Sequence, residues 1–351
     1  MLKKYGLTAA LIFTLFVNGF ACRFTIRDIG YSRLNVETYL VRFSTDTLQN
    51  RVLYRAFKKI AYDNSVNSNL NYKIFHKRDQ LPLLECSNSR GDIILEQKIS
   101  SAKDVRDFYR TLLFSPLQRA MYRDFDNAFA FIAAFYDKND KKTADVINKA
   151  LKQFNKIAPN LDKEVTGNII KIIIHADKRA QEAGLLRAMG IDPHEKKAVA
   201  AVFYGRGRLA DKVLRADEIT SGNLLNRLVM LGTDCECGID LSPLLQNAVP
   251  FKWDKQMSKN TASMLGFDVD NPMILMEMGQ ILSKEPLETG KNSFSFAPRT
   301  IDLDKALGKN KKREDIKPLP NTVIQTSLII FAVLFFVIIS AGLVIFLRRK
   351  H

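Results

Sequence analysis

The sequence predicts an α/β protein made of two repeated units, followed by a small, mostly helical segment and a single C-terminal transmembrane helix. Three observations lead to this fold class. Continuous apolar runs of strand length alternate with segments whose apolar residues recur every three or four positions, which is typical of buried strands and amphipathic helices. The same order of elements occurs twice between residues 39 and 232. A stretch without charge or proline follows at residues 327–347, and a helix of that length spans a bilayer.

The start of the chain has the features of an export signal. A basic beginning precedes an apolar run at residues 7–17 and the small residues Gly19 and Ala21. This pattern predicts a signal peptide over residues 1–21. Cleavage after Ala21 would make Cys22 the first residue of the mature chain and open it to lipidation, although Gly19 departs from the usual bacterial lipobox. Simple cleavage, lipidation at Cys22 and an uncleaved anchor stay open as alternatives.

The two ends of the chain together predict its topology. The transmembrane helix is expected over residues 323–347, and the basic tail at 348–351 should stay in the cytoplasm. The export signal then places the body on the extracytoplasmic side of the inner membrane. A charged, proline-containing linker at 302–322 would hold the body off the membrane. We expect a single-pass bacterial envelope protein that has the membrane as one partner.

The composition limits the classes of function. The chain carries a net charge of +16, and 46% of its residues are hydrophobic, which excludes a disordered stalk. A basic surface outside the cytoplasm suits anionic headgroups, envelope polymers or an acidic protein partner. Nucleic acid is not an expected partner there. Because the basic residues are dispersed along the chain, an ordinary solvated surface is the alternative.

The second repeated unit shows the clearer pattern. A polar turn at residues 136–142 separates its first strand from its first helix, and the sequence Gly205-Arg206-Gly207-Arg208 predicts a hairpin turn rather than a phosphate loop, because it does not join a strand to a helix. The predicted elements are a strand at 128–135, a helix at 146–157, a strand at 169–175, a helix at 180–189 closed by Gly190, a hairpin of 198–204 with 209–214, and a helix from the cap Thr220 to Leu231.

The first unit repeats this order with one helix missing or very short. Its predicted elements are a strand at 39–43, a helix at 48–60, a strand at 72–75, a hairpin of 83–86 with 92–96, and a closing helix at 102–113. The order β-α-β-α-β-β-α of the second unit resembles the thioredoxin fold over about residues 126–232. The resemblance implies two tandem thioredoxin-like domains, a degenerate one at 22–118 and a second at 126–238. One larger α/β domain with a mixed sheet is the alternative.

The departures from the thioredoxin family bear on function. Redox-active members carry a CxxC motif where the first strand meets the first helix, because the helix N-terminus lowers the thiol pKa. Those junctions, at residues 43–47 and 136–140, contain no cysteine. The family also has a cis-proline before its third strand, and Pro82 fits that position in the first unit, although a proline that simply begins a strand is the alternative. Thioredoxin chemistry in its ordinary form is therefore not expected.

The remaining cysteines form one candidate pair. Cys235 and Cys237 follow directly after the last helix of the second unit. They could form a strained, easily reduced disulfide, supply two thiolates to a metal, or be structural, alone or bridged to Cys86 or Cys22. No second ligand pair at zinc-site spacing accompanies them, so no metal or other cofactor is expected.

The segment at 239–301 is predicted to be a mixed or helical extension. It contains the only tryptophan, Trp253, and a helix at 271–283 with Met273 and Met276 on or near its apolar face. Methionine-rich faces adapt to partners, so these three residues are candidate partner contacts. Covering the preceding domain is the alternative role.

These features favour a membrane-anchored, non-enzymatic binding or scaffold module, such as an accessory subunit of a membrane complex with a protein partner in the envelope. The alternative is a thiol oxidoreductase or redox sensor that uses Cys235 and Cys237. A metal carrier that uses the same pair is a third hypothesis.

Overall fold

A computed structural model describes residues 23–46, 50–76, 81–161, 165–233 and 245–283. The predicted signal peptide, Cys22, the Cys235/Cys237 pair, the linker and the transmembrane helix lie outside these ranges. Among the helices within them, none combines the length and the apolar character needed to cross a membrane.

The first sheet has four strands in the order β2-β1-β3-β4. Strand β1 runs parallel to β2 and antiparallel to β3, with Tyr39 opposite Leu70 and Val41 opposite Cys86. The elements up to the end of this unit are α1 (Ile26–Gly30), β1 (Tyr39–Thr45), α2 (Arg51–Ser65), β2 (Leu70–His76), β3 (Leu83–Ser87), β4 (Ile93–Lys98) and α3 (Ala102–Leu113). The predicted order is confirmed, and β2 is followed by β3 without an intervening helix in the described part of that connection.

The second sheet repeats the same order as β6-β5-β7-β8, with β9 also paired to β7. Strand β5 is parallel to β6 and antiparallel to β7, as β1 is to β2 and β3. The elements are α4 (Pro116–Asp124), β5 (Ala128–Tyr136), α5 (Lys141–Ile157), β6 (Asn168–His175), α6 (Ala183–Ala188), β7 (Val199–Tyr204), β8 (Arg208–Leu209), β9 (Leu214–Arg215) and α7 (Ser221–Gly232). The chain is thus a mixed α/β protein with two sheets, consistent with tandem thioredoxin-like domains.

Two predicted elements of the second unit differ in detail. The strand expected at 209–214 is split into β8 and β9, because Asp211 between them adopts a left-handed conformation with φ of 85°. The helix expected at 180–189 begins as a 3₁₀ turn over Ala176–Glu182 before α6. Helix α4 was not predicted, although Ser115 and Gln118 form a capping box and Pro116 occupies its first turn.

Each sheet has its own apolar core. Phe43, Phe57 and Phe108 are fully buried in the first, and Phe131, Phe135 and Phe203 are buried in the second. Strand β5 is buried along its whole length, as expected for the central strand of a sheet covered on both faces. Ala188 on α6 packs against both cores, so the two units share a contact.

Two segments outside the repeats bind the units together. The N-terminal strap (residues 23–35) precedes the first unit in the chain but packs on the second, where Tyr31 joins the core. The C-terminal strap (residues 245–253) contacts both units: the Tyr39 hydroxyl donates to the carbonyl of Ala248 at 2.8 Å, and the backbone N–H of Leu209 donates to the carbonyl of Asn247 at 2.7 Å. The two units are therefore joined by shared contacts with these segments and are not structurally independent domains.

The chain continues after the C-terminal strap into two helices, α8 (Lys255–Leu265) and α9 (Pro272–Ser283). Asp254 caps α8, and Gly266 ends it in the left-handed conformation. Helix α9 agrees with the helix predicted at 271–283. Helix α8 was not predicted.

Candidate functional site

The two strand–helix junctions that would hold a thioredoxin motif offer no nucleophilic thiol in their described residues. In the second unit, Asp140 caps α5: its carboxylate accepts hydrogen bonds from the backbone N–H and the hydroxyl of Thr143, at 3.0 and 2.6 Å. These bonds hold the pKa of Asp140 below its usual value. The helix N-terminus is already occupied by a negative charge. In the first unit Asn50 precedes α2 without a side-chain cap.

Pro82 lies directly before β3, at the position that the thioredoxin resemblance gives to the family's cis-proline. No peptide bond between described residues is cis, and the bond before Pro82 is among them. The carbonyl of Pro82 accepts a hydrogen bond from the backbone N–H of Ile99 at 2.9 Å. Pro82 therefore begins a strand in the trans form, which was the alternative interpretation.

Cys86 is a free thiol in the core of the first unit, with no exposed surface. Burial raises its pKa well above the usual value for a thiol. A buried thiol of this kind is inert. The described residues also contain no group of three or more histidine, cysteine, aspartate and glutamate side chains arranged to hold a metal.

The structure brings an unexpected set of side chains together in a cleft of about 510 Å³. We call it the Arg206 cleft. Its walls come from the N-terminal strap, the α2–β2 loop, the β7–β8 hairpin, the C-terminal strap, α8 and the turn before α9. Both units and both straps therefore contribute to it, and its volume is in the range of ligand-binding clefts.

The guanidinium of Arg206 is held in place on three sides. It lies over the indole ring of Trp253, with 4.1 Å between the guanidinium carbon and the ring centroid. Its Nε donates to the carbonyl of Tyr31 at 2.6 Å, and Nη2 pairs with Asp270. Stacking on an aromatic face and pairing with a carboxylate are the interactions that favour arginine over lysine.

Asp270 is the acceptor at the centre of this arrangement. Besides Arg206, it accepts hydrogen bonds from the hydroxyl of Ser258 at 2.7 Å and the indole N–H of Trp253 at 3.4 Å. Burial acts to raise the pKa of Asp270, but the charge of Arg206 and these hydrogen bonds outweigh burial and hold the pKa below its usual value. Burial also lowers the pKa of Arg206, an effect that Asp270 opposes.

More positive than negative side chains in the cleft lack an ion-pair or hydrogen-bond partner within the described part of the chain. Arg33 and Lys255 line it and are exposed, and neither has an ion-pair partner among the residues that the structure describes. The two carboxylates in the cleft are engaged, since Asp270 binds Arg206 and Asp254 accepts from the backbone at the start of α8. An anionic group entering the cleft would therefore meet uncompensated positive charge.

The three candidate partner contacts lie in different environments. Trp253 is only 9% exposed and packs against Tyr31 and Phe125. It therefore joins the extension to the second unit, which was the alternative role considered for this segment. Met273 and Met276 are 66% and 53% exposed on α9, so their proposed contact with a partner stays a prediction.

A smaller cleft of about 310 Å³ lies around Arg27, but its guanidinium is fully engaged in the fold. Arg27 is buried and donates to the carbonyls of Ala128 and Phe129 and to the hydroxyl of Thr166, at 3.0, 3.1 and 2.9 Å. These bonds join the N-terminal strap to the start of β5. We therefore regard Arg27 as structural.

Sequence reasoning missed Arg206, Arg33 and Asp270 as site residues. The hairpin turn that carries Arg206 was predicted, and positive φ values of 50° and 70° at Gly205 and Gly207 confirm it. An arginine between two glycines was the available signal. Its partners lie more than 40 positions away in the chain, so only the tertiary structure could assign them.

Comparisons with known proteins give limited support. No protein-family model and no curated protein sequence matches the chain. Among solved structures, it is similar to the first two thioredoxin domains of Eps1p from Naumovozyma dairenensis, with 11% identity and a TM-score of 0.18 over 56% of this chain and 91% of that one. The same domains of Saccharomyces cerevisiae Eps1p give 9% identity and a TM-score of 0.18 over 60% and 97%.

These TM-scores are too low to carry an argument. Support for a thioredoxin-like fold comes instead from the strand order that the two sheets share.

Proposed function

We propose that this protein is a non-enzymatic binding or scaffold module, anchored in a membrane by residues 323–347 with its body on the extracytoplasmic side. It would act as an accessory subunit that presents two joined thioredoxin-like units to a protein partner. The anchor and the side of the membrane are inferred from the sequence alone.

The observation that carries this proposal is the loss of thiol chemistry at the positions where the fold would place it. Asp140 occupies the helix N-terminus in the second unit, and the junction of the first unit has no cysteine in its sequence. Cys86 is buried without access to solvent. What the body offers instead is a cleft built from both units, with a preorganised cation at its centre.

The competing function is thiol redox chemistry at Cys235 and Cys237, and one titration separates the two. The full-length chain is equilibrated in thiol–disulfide buffers, its thiols are trapped, and each cysteine is mapped by mass spectrometry. A binding module is expected to show no reversible Cys235–Cys237 pairing between about −120 and −230 mV, the range expected of an envelope oxidoreductase. Reversible pairing in that range would establish the redox function instead.

The binding function is tested by photo-cross-linking in native membranes. A photoreactive residue at Val66, which lines the cleft and is 60% exposed, is expected to give one discrete cross-linked product. The matched control places the same residue at Lys152, which is exposed on α5 and does not line the cleft. Equal products from both positions, or none from Val66, would contradict the proposal.

A further inference from the structure

We propose that the Arg206 cleft binds an acidic side chain of an extended peptide segment, with Arg206, Arg33 and Lys255 holding the carboxylate. This inference rests on the proposed function, because it names the chemistry of the partner that the binding module receives. It assigns the ligand to a place in the fold that does not coincide with either thioredoxin-type junction.

The first argument is the preorganisation of Arg206. Its side chain is fixed by the stack on Trp253, the carbonyl of Tyr31 and the carboxylate of Asp270. Its Nη1 takes no hydrogen-bond partner among the described residues, while the side chain keeps 13% of its surface exposed in the cleft. A ligand that accepts from Nη1 therefore need not order a flexible side chain, which is a main cost of binding.

The second argument is the charge of the rim. Arg33 lies close enough to Arg206 to lower its pKa, an effect secondary to burial. Lys255 lines the same cleft. Three cations thus surround a space in which the carboxylates of Asp254 and Asp270 are already engaged, so the site is complementary to a single added negative charge.

The third argument favours a peptide over a free anion. Asn67 lines the cleft; its backbone carbonyl accepts from the N–H of Trp253 at 2.6 Å, and its carboxamide has no hydrogen-bond partner within the described ranges. A carboxamide presents both a donor and an acceptor, the combination that a peptide bond requires. Val36, Val66 and Trp253 add apolar residues to the cleft lining, which suits the side chains that flank an acidic residue in an extended segment.

Trp253 supplies the readout, because it is the single tryptophan of the chain. The full-length protein is titrated with a capped hexapeptide in which valine and glutamate alternate, and the tryptophan emission is recorded. The matched control peptide replaces each glutamate by glutamine. We expect a saturable change with the glutamate peptide, weakened by added salt, and no saturable change with the glutamine peptide.

Variants then test the assigned cations. Arg33→Gln and Lys255→Gln remove exposed charges that make no contact with the core, so the fold should persist, as checked by the unfolding midpoint. Each is expected to weaken peptide binding about threefold to fivefold, the effect of one partly screened ion pair. Lys152→Gln on α5 removes a charge outside the cleft and should leave the affinity unchanged.

Three results of the peptide titrations would overturn the inference, and a phosphate control adds a fourth. They are equal binding of the two peptides, the absence of any saturable change, and an equal loss of affinity in Lys152→Gln. A titration with inorganic phosphate is run beside the peptide. If phosphate reproduces the same change with the same dependence on Arg33 and Lys255, the site is a phosphate site and the peptide assignment is wrong. The thiol titration is independent of all these outcomes, so failure of the peptide leaves the redox test of the proposed function intact.

Discussion

The carboxylate of Glu182 accepts a hydrogen bond from the backbone N–H of Leu117 at 2.7 Å. This bond joins the turn after β6 to the first turn of α4, the helix between the two units. Glu182 is completely buried, and its second oxygen has no partner among the described residues. Burial raises its pKa to about 7, against the opposing effect of hydrogen bonds from Ser115 and Leu117.

The raised pKa of Glu182 predicts a pH-dependent stability. Between about pH 4.5 and 7 the folded state binds a proton that the unfolded state releases, so the free energy of unfolding should fall as pH rises through this window and level off above it. The shift corresponds to roughly 3 kcal/mol. Glu182→Gln should remove this component and unfold at higher urea than the parent protein at pH 8.

The measurement is urea unfolding from pH 4 to pH 8 for both proteins. Asp145→Asn, which changes an exposed carboxylate on α5, is the control and should keep the slope of the parent. Parallel pH profiles for Glu182→Gln and the parent would mean that Glu182 does not titrate in this window.

Arg208 is a buried cation whose hydrogen bonds go to backbone carbonyls. It donates to Gly30 at 2.9 Å, Ser32 at 2.8 Å, Leu34 at 2.7 Å and Leu245. No carboxylate pairs with it among the described residues, and burial lowers its pKa to about 10. Arg208→Met would leave these carbonyls without the guanidinium that donates to them and would remove the bonds that hold both straps. We therefore expect a loss of about 4 kcal/mol in the free energy of unfolding.

Arg187→Met is the matched control for Arg208→Met, because Arg187 is exposed on α6. It should change stability by less than about 0.5 kcal/mol. Limited proteolysis gives a second readout, since loss of Arg208 should expose residues 23–35 to cleavage before the sheets unfold. Equal stability of the two variants would show that Arg208 does not hold the straps.

Gly205 allows the β7–β8 hairpin to lie directly against the N-terminal strap. Its φ is +50°, and an added Cβ would lie 2.3 Å from the carbonyl oxygen of Gly30. Because the obstacle is backbone, Gly205→Ala should cost on the order of 3 kcal/mol. Gly91→Ala is the control: its φ of +90° is also unfavourable, but the space around it is open, so about 1 kcal/mol is expected. In thermal unfolding, the midpoint temperature should therefore fall further for Gly205→Ala than for Gly91→Ala.

Cys86 should react with thiol reagents only when the first unit unfolds. It lies on β3, which pairs with β1 and β4, and its side chain is fully buried in the core of the first unit. We expect its alkylation, followed by mass spectrometry, to proceed at the rate of unfolding and to accelerate in urea. Ser89→Cys in the exposed β3–β4 turn is the control and should be labelled at once. Rapid labelling of Cys86 in the native protein would contradict the buried position.

Much of the fold could be predicted from the sequence because its signals are local. The apolar run predicted β5 to within one residue, and the three- and four-residue spacing predicted α5 and its end at Ile157, although the helix begins at Lys141, within the expected turn. Thr220 was expected to cap α7, and its hydroxyl accepts from the backbone N–H of Asn223. Such signals depend only on neighbours in the chain, so a single sequence carries them.

The candidate site could not be predicted in this way. Trp253 was singled out as a partner contact, which stays a prediction, but its position beneath Arg206 and against Tyr31 could not be read from the sequence. Arg206 and Arg208 were predicted only to lie in a turn. Their roles are set by carbonyls and carboxylates from segments far away in the chain, and composition or spacing does not record which distant segments meet.

The sequence by itself determined the order of strands and helices, the absence of cysteine at both thioredoxin-type junctions and the basic character of the chain. Only the tertiary structure decided that residues 23–35 pack on the second unit, that residues 245–253 join both units, and that a cleft forms where they meet. The physical reason is that hydrophobic periodicity depends on residues close together in the chain. The hydrogen-bond acceptors of a buried arginine, in contrast, come from distant segments that only the folded chain brings within reach.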